Sequence, residues 1–236
     1  MDWLRNFWRH FSFKKAPPVP SADMDAFYFA FEEHFRGSEA EISRRLADYL
    51  PYLTAVSAET PLLDLGCGRG ELLQLAKKHS LAAQGIDTSA AMVNRARSQG
   101  LEVTKAPALP YLRKQPDERF GAISAIHLAE HLSFAELFAL CREAYRTLTP
   151  GGVCIIETPN PENVTVGAHT FYNDPSHRHP LPPQLLEFLL QYLGFSHTEI
   201  RRFRPIEAIP HGKNQRQNEA NKLLFGPTDY AVVARK

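Results

Sequence analysis

A strand that ends in a glycine loop and opens a helix is written into residues 62–76. Leu62-Leu63-Asp64-Leu65 runs into Gly66-Cys67-Gly68-Arg69-Gly70, and Glu71-Leu72-Leu73-Gln74-Leu75-Ala76 continues with helical spacing. Three glycines at alternate positions leave backbone without Cβ atoms, against which a ligand can lie directly. Seventeen residues after Gly70, a second short apolar run closes on Asp87 in Gly85-Ile86-Asp87. An acid there can accept both hydroxyls of a ribose. The two features place a nucleoside-containing ligand beyond the carboxyl ends of two adjacent parallel strands. A glycine-rich turn that binds nothing is the alternative, and Asp87 in register argues against it.

The loop also constrains the ligand. A dinucleotide site reads G-x-G-x-x-G and faces a pyrophosphate. This loop is one residue tighter, and Asp64 stands two residues before its first glycine. A carboxylate at that point suits an ammonium better than a phosphate, which points to S-adenosylmethionine, with its amino-acid ammonium and cationic sulfur. Asp64-Leu65-Gly66-Cys67-Gly68-Arg69-Gly70 resembles the first motif of the class I methyltransferases, and Asp87 matches their ribose-binding acid. The resemblance implies cofactor contacts from Asp64, Gly66, Gly68, Asp87 and Thr88.

Strand and helix patterns alternate through the rest of the chain. Predicted strands fall at Leu62–Asp64, Ala82–Asp87, Leu101–Lys105, Phe120–Ile126, Val153–Thr158, Phe195–Arg202 and Asp229–Ala234. Ser38 with Glu41 and Ser133 with Glu136 read as capping boxes that start helices, and Pro182–Tyr192 reads as a further helix. Alternation at this spacing predicts an α/β doubly wound, Rossmann-like parallel sheet with helices on both faces. Its ligands bind at the carboxyl ends of the strands. The glycine loop, Asp87, Ala106–Ala108, His127 and Thr158–Asn160 all follow strand ends and should converge on one cleft. The class I resemblance further implies a mostly parallel seven-stranded sheet with an antiparallel C-terminal strand.

Composition narrows the function classes. Of 236 residues 44% are hydrophobic, enough for a sizeable core, and the net charge of +1 gives no reason to expect nucleic acid as a partner. Cys67, Cys141 and Cys154 have no metal-ligand spacing, so reduced cytoplasmic thiols are expected, and no metal site is assigned. No transmembrane-length apolar run and no signal peptide is visible. Residues 1–20 differ from residues 21–236, which are expected to form the main domain. Trp3, Leu4, Phe7, Trp8 and Phe11 share a helical face, Arg5, Arg9, His10, Lys14 and Lys15 add positive charge, and Ala16-Pro17-Pro18-Val19-Pro20 ends the segment. A basic aromatic helix over residues 3–15 suits an anionic membrane surface, here the inner face of the membrane, or a protein partner. Packing on its own domain is the plainer reading.

Longer segments are similar to one bacterial group. These are Phe31-Glu32-Glu33-His34-Phe35-Arg36-Gly37-Ser38, His127-Leu128-Ala129-Glu130-His131-Leu132, Glu157-Thr158-Pro159-Asn160-Pro161-Glu162-Asn163, Phe171-Tyr172-Asn173-Asp174-Pro175-Ser176-His177-Arg178 and Phe225-Gly226-Pro227-Thr228-Asp229-Tyr230-Ala231. They resemble the methyltransferase domain of O-antigen chain-terminating enzymes, from about residue 25 to the end. In those enzymes a kinase domain phosphorylates the terminal sugar of a lipid-linked polysaccharide, and the methyltransferase methylates that phosphate. No kinase signature is present here, so the phosphate would come from elsewhere. Pro107 stands where the family has an adenine-binding acid, which leaves backbone groups near Ala106 and Ala108 to hold adenine. The resemblance also implies that Arg36 pairs with the cofactor carboxylate and that Phe27-Tyr28-Phe29-Ala30-Phe31 covers the cleft.

Methyl transfer is an in-line displacement, so the protein chiefly aligns the acceptor and excludes water. A phosphate monoester is largely dianionic at neutral pH and needs no base, whereas a sugar hydroxyl does. His127 is placed to orient the acceptor, remove its proton or face the cofactor, with a backbone-bonded structural histidine as the plain alternative. Glu130 and His131 open the next turn. The H-x-x-E-H spacing matches an inverted zinc-protease motif, but that motif needs both histidines on one helix. Tyr172, His177, Arg178 and His179 lie in a long polar loop suited to gripping phosphate. The expected function is methylation of a phosphorylated or hydroxylated glycan terminus. The alternatives are a quinone- or lipid-precursor methyltransferase and a non-catalytic cofactor-binding subunit of a glycan assembly complex.

Overall fold

A computed structural model describes residues 21–35, 37–53, 59–205 and 212–236. Helix α1 (Ser21–Phe35) belongs to a unit of its own. Along it Phe27 stacks on Phe31 at a centroid distance of 6.3 Å, and Phe31 meets Phe35 tilted at 4.7 Å. Arg36 and residues 1–20, for which cofactor binding and membrane or partner docking are expected, lie outside the described residues.

The second unit begins at Gly37. Ser38 caps α2 (Glu39–Leu46) by accepting the Glu41 N–H. A single 3-10 turn (Ala47–Tyr49) and the short α3 (Leu50–Leu53) follow. The chain then alternates between β1 (Leu62–Leu65), α4 (Glu71–Lys78), β2 (Ala83–Asp87), α5 (Ala90–Ser98), β3 (Val103–Lys105), α6 (Ala108–Arg113) and β4 (Phe120–Ile126). A 3-10 turn at Ala129–His131 leads to α7 (Phe134–Thr147), whose Ser133–Glu136 capping box is complete. Next come β5 (Leu148–Pro159), α8 (Val164–Ala168), α9 (Pro183–Tyr192), β6 (His197–Pro205), α10 (Gln215–Phe225) and β7 (Pro227–Arg235).

The seven strands form one sheet in the order β3-β2-β1-β4-β5-β7-β6. β3 through β5 pair in parallel, and β7 runs antiparallel to both β5 and β6. Every residue of β1 and β4 is buried, as expected of parallel strands covered on both faces. One core cluster packs Leu63, Leu65, Ile123, Ile156 and Val232 against α7 and α9. A second packs Leu62, Ala122, Ile155 and Val233 against α2 and α4, and a third packs Cys67, Leu73, Val93 and Leu101 beneath the glycine loop. The strand order reverses between β1 and β4, so a crevice opens where β1 and β4 end, between Gly66 and His127. Four helices go beyond the sequence pattern, α1, α6, α8 and α10, and α3 carries helical backbone past Pro51, where the first capped helix was expected to end. α10 has no buried residue among its eleven, and so shows no apolar period. Among the described residues no helix is long and apolar enough to cross a membrane.

Candidate active site

The glycine loop is built from left-handed backbone. Gly66, Gly68 and Gly70 have φ of 71°, 54° and 88°, a region that side chains with a Cβ rarely enter. Gly66 and Cys67 both donate to the Ile86 carbonyl at 2.9 Å, which closes the loop over the end of β2. Gly70 then caps α4, where a Cβ would stand 2.5 Å from Leu101 Cδ1. Asp87 holds the loop from the other side. Its Oδ2 accepts the Gly68 N–H at 2.9 Å and its Oδ1 accepts the Ser89 N–H at 2.8 Å. Both carboxylate oxygens keep further acceptor capacity, and Thr88 beside it is exposed.

Asp64 is buried, and its Oδ1 accepts the Ser124 hydroxyl at 2.7 Å across the β1–β4 register. Arg69 and Glu71, not foreseen from the sequence, form a buried ion pair at 2.7 Å, and Arg69 also reaches the Gly37 carbonyl. Ala106 gives its N–H to the Asp87 carbonyl at 3.0 Å, so that group is engaged in the sheet edge. Ala108 instead opens α6 behind Pro107, where first-turn N–H groups have no acceptor within the helix. A cradle without Cβ atoms and an acid at its rim fit an adenosyl sulfonium. Gly66, Gly68, Asp87 and Thr88 are the residues that would hold it.

Across the crevice, β4 ends on His127, a non-glycine residue at φ 53°. Such a backbone costs energy and is kept where the side chain must be aimed. Its ring is about two-fifths exposed, at 39%. Nδ1 lies 3.1 Å from Glu130 Oε1, and Nε2 faces Glu157 Oε1 at 3.4 Å and Asp229 Oδ1 at 3.6 Å. Glu130 and Glu157 are buried. Thr158 donates to Glu130 Oε2 at 2.9 Å. Tyr49 donates to Glu157 Oε2, Arg204 pairs with Glu157 Oε1, and Arg204 Nε bonds Asp229 Oδ2 at 2.9 Å.

Charge follows from this packing. Burial alone would push the His127 imidazolium toward losing its proton, but Glu130, Glu157 and Asp229 outweigh it and hold its pKa up to about 10. Burial would raise Glu157, yet His127, Arg204 and Tyr49 bring it down to about 2. Glu130 is lowered as well, its burial outweighed first by His127. Both ring nitrogens of His127 therefore face carboxylates and carry protons. Tyr49, Glu157, Arg204 and Asp229 were not among the predicted site residues. Glu157 left a signal as an acid at the end of the apolar run Val153-Cys154-Ile155-Ile156, and Asp229 stands in the Phe225–Ala231 segment, whereas Tyr49 and Arg204 left none.

The polar loop after β5 supplies the remaining predicted residues. His177 is mostly buried, with Nδ1 2.6 Å from the Phe171 carbonyl, and its ring meets that of His131 at 4.8 Å. Burial pushes His131 below the usual histidine range. Tyr172 is exposed, 5.4 Å from the Phe171 ring. Arg178 is exposed and donates its backbone N–H to the Glu130 carbonyl. Glu136 on α7 is lowered first by hydrogen bonds from Ser133 and, less, by the Arg178 charge. An open pocket of about 300 Å³ lies here, lined by Pro159, Thr170, Phe171, His177, Thr228 and Asp229 among others. The structure thus joins His127, His131 and His177, and leaves Tyr172 and Arg178 at the surface.

Residues 34–200 match the family model for a methyltransferase domain. The chain belongs to that methyltransferase family. Its fold matches a SAM-dependent methyltransferase from Archaeoglobus fulgidus with a TM-score of 0.80 and 33% identity, over 89% of this chain and 100% of that one. Among curated proteins, the methyltransferase is 31% identical over 123 residues to 27-O-demethylrifamycin SV methyltransferase of Amycolatopsis mediterranei, covering 48% of this chain and 43% of that one. It is 27% identical over 184 residues to malonyl-[acyl-carrier protein] O-methyltransferase of Dechloromonas aromatica, covering 74% of this chain and 65% of that one. The chain thus spans between two fifths and two thirds of the length of these curated relatives. Fold, loop and relatives together make it a SAM-dependent methyltransferase domain. None of these three proteins is named for a glycan acceptor.

Proposed function

We propose that this methyltransferase transfers a methyl group to an oxygen acceptor that is already ionised when it binds, with a phosphate monoester at a glycan terminus as the favoured class. The observation that carries this reading is the setting of His127. A general base needs a free lone pair aimed at the acceptor. Both nitrogens of His127 face carboxylates instead, so the ring donates protons and does not take one. The bound cofactor supplies an electrophilic methyl group on a sulfonium. The chain's own residues align the acceptor oxygen with it and keep water out. An ionised phosphate oxygen is a sufficient nucleophile in that geometry, because its second pKa is about 6. The resemblance of the His127–Leu132, Phe171–Arg178 and Phe225–Ala231 segments to the O-antigen chain terminators supports phosphate on a glycan.

The two curated relatives support a second reading, a small-molecule oxygen acceptor, since both are named for other O-methylations. Transfer assays with labelled S-adenosylmethionine on a terminally phosphorylated mannoside and on the plain mannoside test the choice. Product on the phosphorylated compound supports the first reading. Product only on the plain sugar, or only on non-glycan carboxylates and hydroxyls, removes it.

The proposal extends to location. The aromatic and basic residues of the 3–15 segment suit an anionic membrane surface, where a lipid-linked glycan would be presented. Removing residues 1–20 should abolish sedimentation with anionic vesicles and leave cofactor binding intact. Equal vesicle binding by both forms would end this part of the proposal.

A further inference from the structure

A second group of side chains lies beside the crevice and shares Glu130 with His127. The 3-10 turn after β4 and the loop before α9 bring one ligand atom each from Glu130, His131 and His177 to within 4.8 Å of one another. Hydrogen bonds fix the tautomer of both rings. His177 Nδ1 stands 2.6 Å from the Phe171 carbonyl oxygen, which can only accept, so Nδ1 carries the proton. His131 Nδ1 stands 2.9 Å from Ser176 Oγ, and that hydroxyl gives its hydrogen to Asp174 Oδ1 at 2.6 Å. The serine oxygen therefore accepts from His131 Nδ1. Each ring is left with Nε2 as its ligand atom.

His177 Nε2 then faces two carboxylates, Glu130 Oε1 at 3.9 Å and Asp174 Oδ2 at 3.8 Å. Both separations are too long for hydrogen bonds, and the converging carboxylate oxygens favour a positive charge at this point, supplied by an Nε2 proton or by a bound cation. Outer hydrogen bonds from each ring to a carbonyl or to a hydroxyl–carboxylate relay are the arrangement that orients metal-bound imidazoles.

We propose that Glu130, His131 and His177 bind a divalent transition-metal cation, in the class of Zn²⁺, Co²⁺ or Mn²⁺. Two imidazole nitrogens and one carboxylate suit these ions better than Mg²⁺ or Ca²⁺, which prefer oxygen ligands. Metal–nitrogen bonds of about 2.0–2.1 Å draw the three donors together by about 1 Å. His131 sits on a single 3-10 turn and His177 on a loop, so small rotations achieve this. Three protein ligands leave positions open, as in metal sites that also take a substrate or water. His177 lines the pocket beside Asp229, so an acceptor oxygen can fill one of them. The cation also offsets a local excess of negative charge, four carboxylates (Glu130, Glu157, Asp174, Asp229) against two cations (His127, Arg204). In the sequence the Glu130–His131 pair leaves a divalent ion as a minor option only, and His177, 46 residues beyond His131, joins that pair through the fold.

The test uses the full chain, stripped with a chelator and titrated with Co²⁺ in the absence of acceptor, so its outcome is independent of the acceptor reading. One equivalent should bind saturably, with a visible d–d absorption band, and Zn²⁺ should displace it while Mg²⁺ should not. His131→Ala and His177→Ala should weaken binding at least about 100-fold, and Ser176→Ala by about tenfold, through loss of ring orientation. His79→Ala, on an exposed residue far along the chain, should change nothing. Circular dichroism establishes that each variant is folded, and Ser176→Ala is the surface variant that keeps the test decisive should a ligand variant misfold. No saturable uptake by the parent chain, or unchanged affinity in folded His131→Ala, His177→Ala and Ser176→Ala, would overturn the proposal.

Discussion

His127 and Glu130 face each other across 3.1 Å, Nδ1 to Oε1, at the point where β4 ends and the acceptor must approach. Glu130 is fully buried and pinned by Thr158, so the carboxylate is fixed and the imidazole ring turns to meet it. The pair makes His127 a positioning cation. His127→Asn should therefore keep kcat within about tenfold of the parent on an ionised acceptor. A residue acting as general base would cost about 10²–10⁴ in kcat when removed. Steady-state kinetics on a phosphorylated acceptor measures the difference.

The same pair sets a pH dependence of stability. The folded-state pKa of His127 is about 10, above its ordinary value of 6.5. Its contribution is therefore full below about pH 6.5 and is lost as pH rises through about 10. Glu157 works in the opposite sense. Its folded pKa of about 2 lies below the ordinary 4.5, so its contribution is present above about pH 4.5 and is lost as pH falls toward 2. Chemical denaturation of the chelator-treated protein across pH 3–10 should show a plateau between about pH 4.5 and 6.5 with decline on both sides, and His127→Asn should flatten the alkaline limb. An unchanged alkaline limb in His127→Asn would contradict the assignment.

Asp87 serves the cofactor and the loop at once, since its Oδ2 holds the Gly68 N–H. Asp87→Ala should weaken S-adenosylmethionine binding at least about tenfold by calorimetry, from loss of charge-assisted contacts worth about 1.5–3 kcal/mol. Asp87→Asn, which keeps an oxygen for Gly68, should fall between the two. Equal affinity in all three proteins would remove Asp87 from the site.

Gly70 combines a left-handed φ of 88° with a neighbour, Leu101 Cδ1, 2.5 Å from where a Cβ would stand. Gly70→Ala should destabilise the fold by about 1–3 kcal/mol, from backbone strain and overpacking, as read by urea denaturation. A neutral result would show that the turn relaxes without cost.

The sheet was legible because its signals are local. β4 spans Phe120–Ile126 as its seven-residue run suggests, and Ser133 with Glu136 starts α7 with a complete capping box. Strand ends then located the crevice without any knowledge of side-chain contacts. Helix α6 escaped notice because Pro107 and Pro110 stand at its start, and α10 because its polar surface carries no period. The charge network was not legible for a different reason. Tyr49 meets Glu157 across 108 positions, and Arg204 meets it across 47. No local pattern relates such residues; the sheet order alone brings them together. That network decides whether His127 gives or takes a proton, so the role of the histidine had to wait for its neighbours.

Methyl transfer to an oxygen that is already ionised is tested most directly by product analysis. The full chain is incubated with S-adenosylmethionine and a glycan bearing a terminal phosphate monoester, alongside the same glycan without phosphate, and the methylated atom is located by phosphorus NMR and mass spectrometry. The expected result is a methyl phosphodiester on the first compound, no product on the second, and substantial turnover retained in His127→Asn. Methylation of a hydroxyl on the plain glycan, abolished by His127→Asn, would contradict the account.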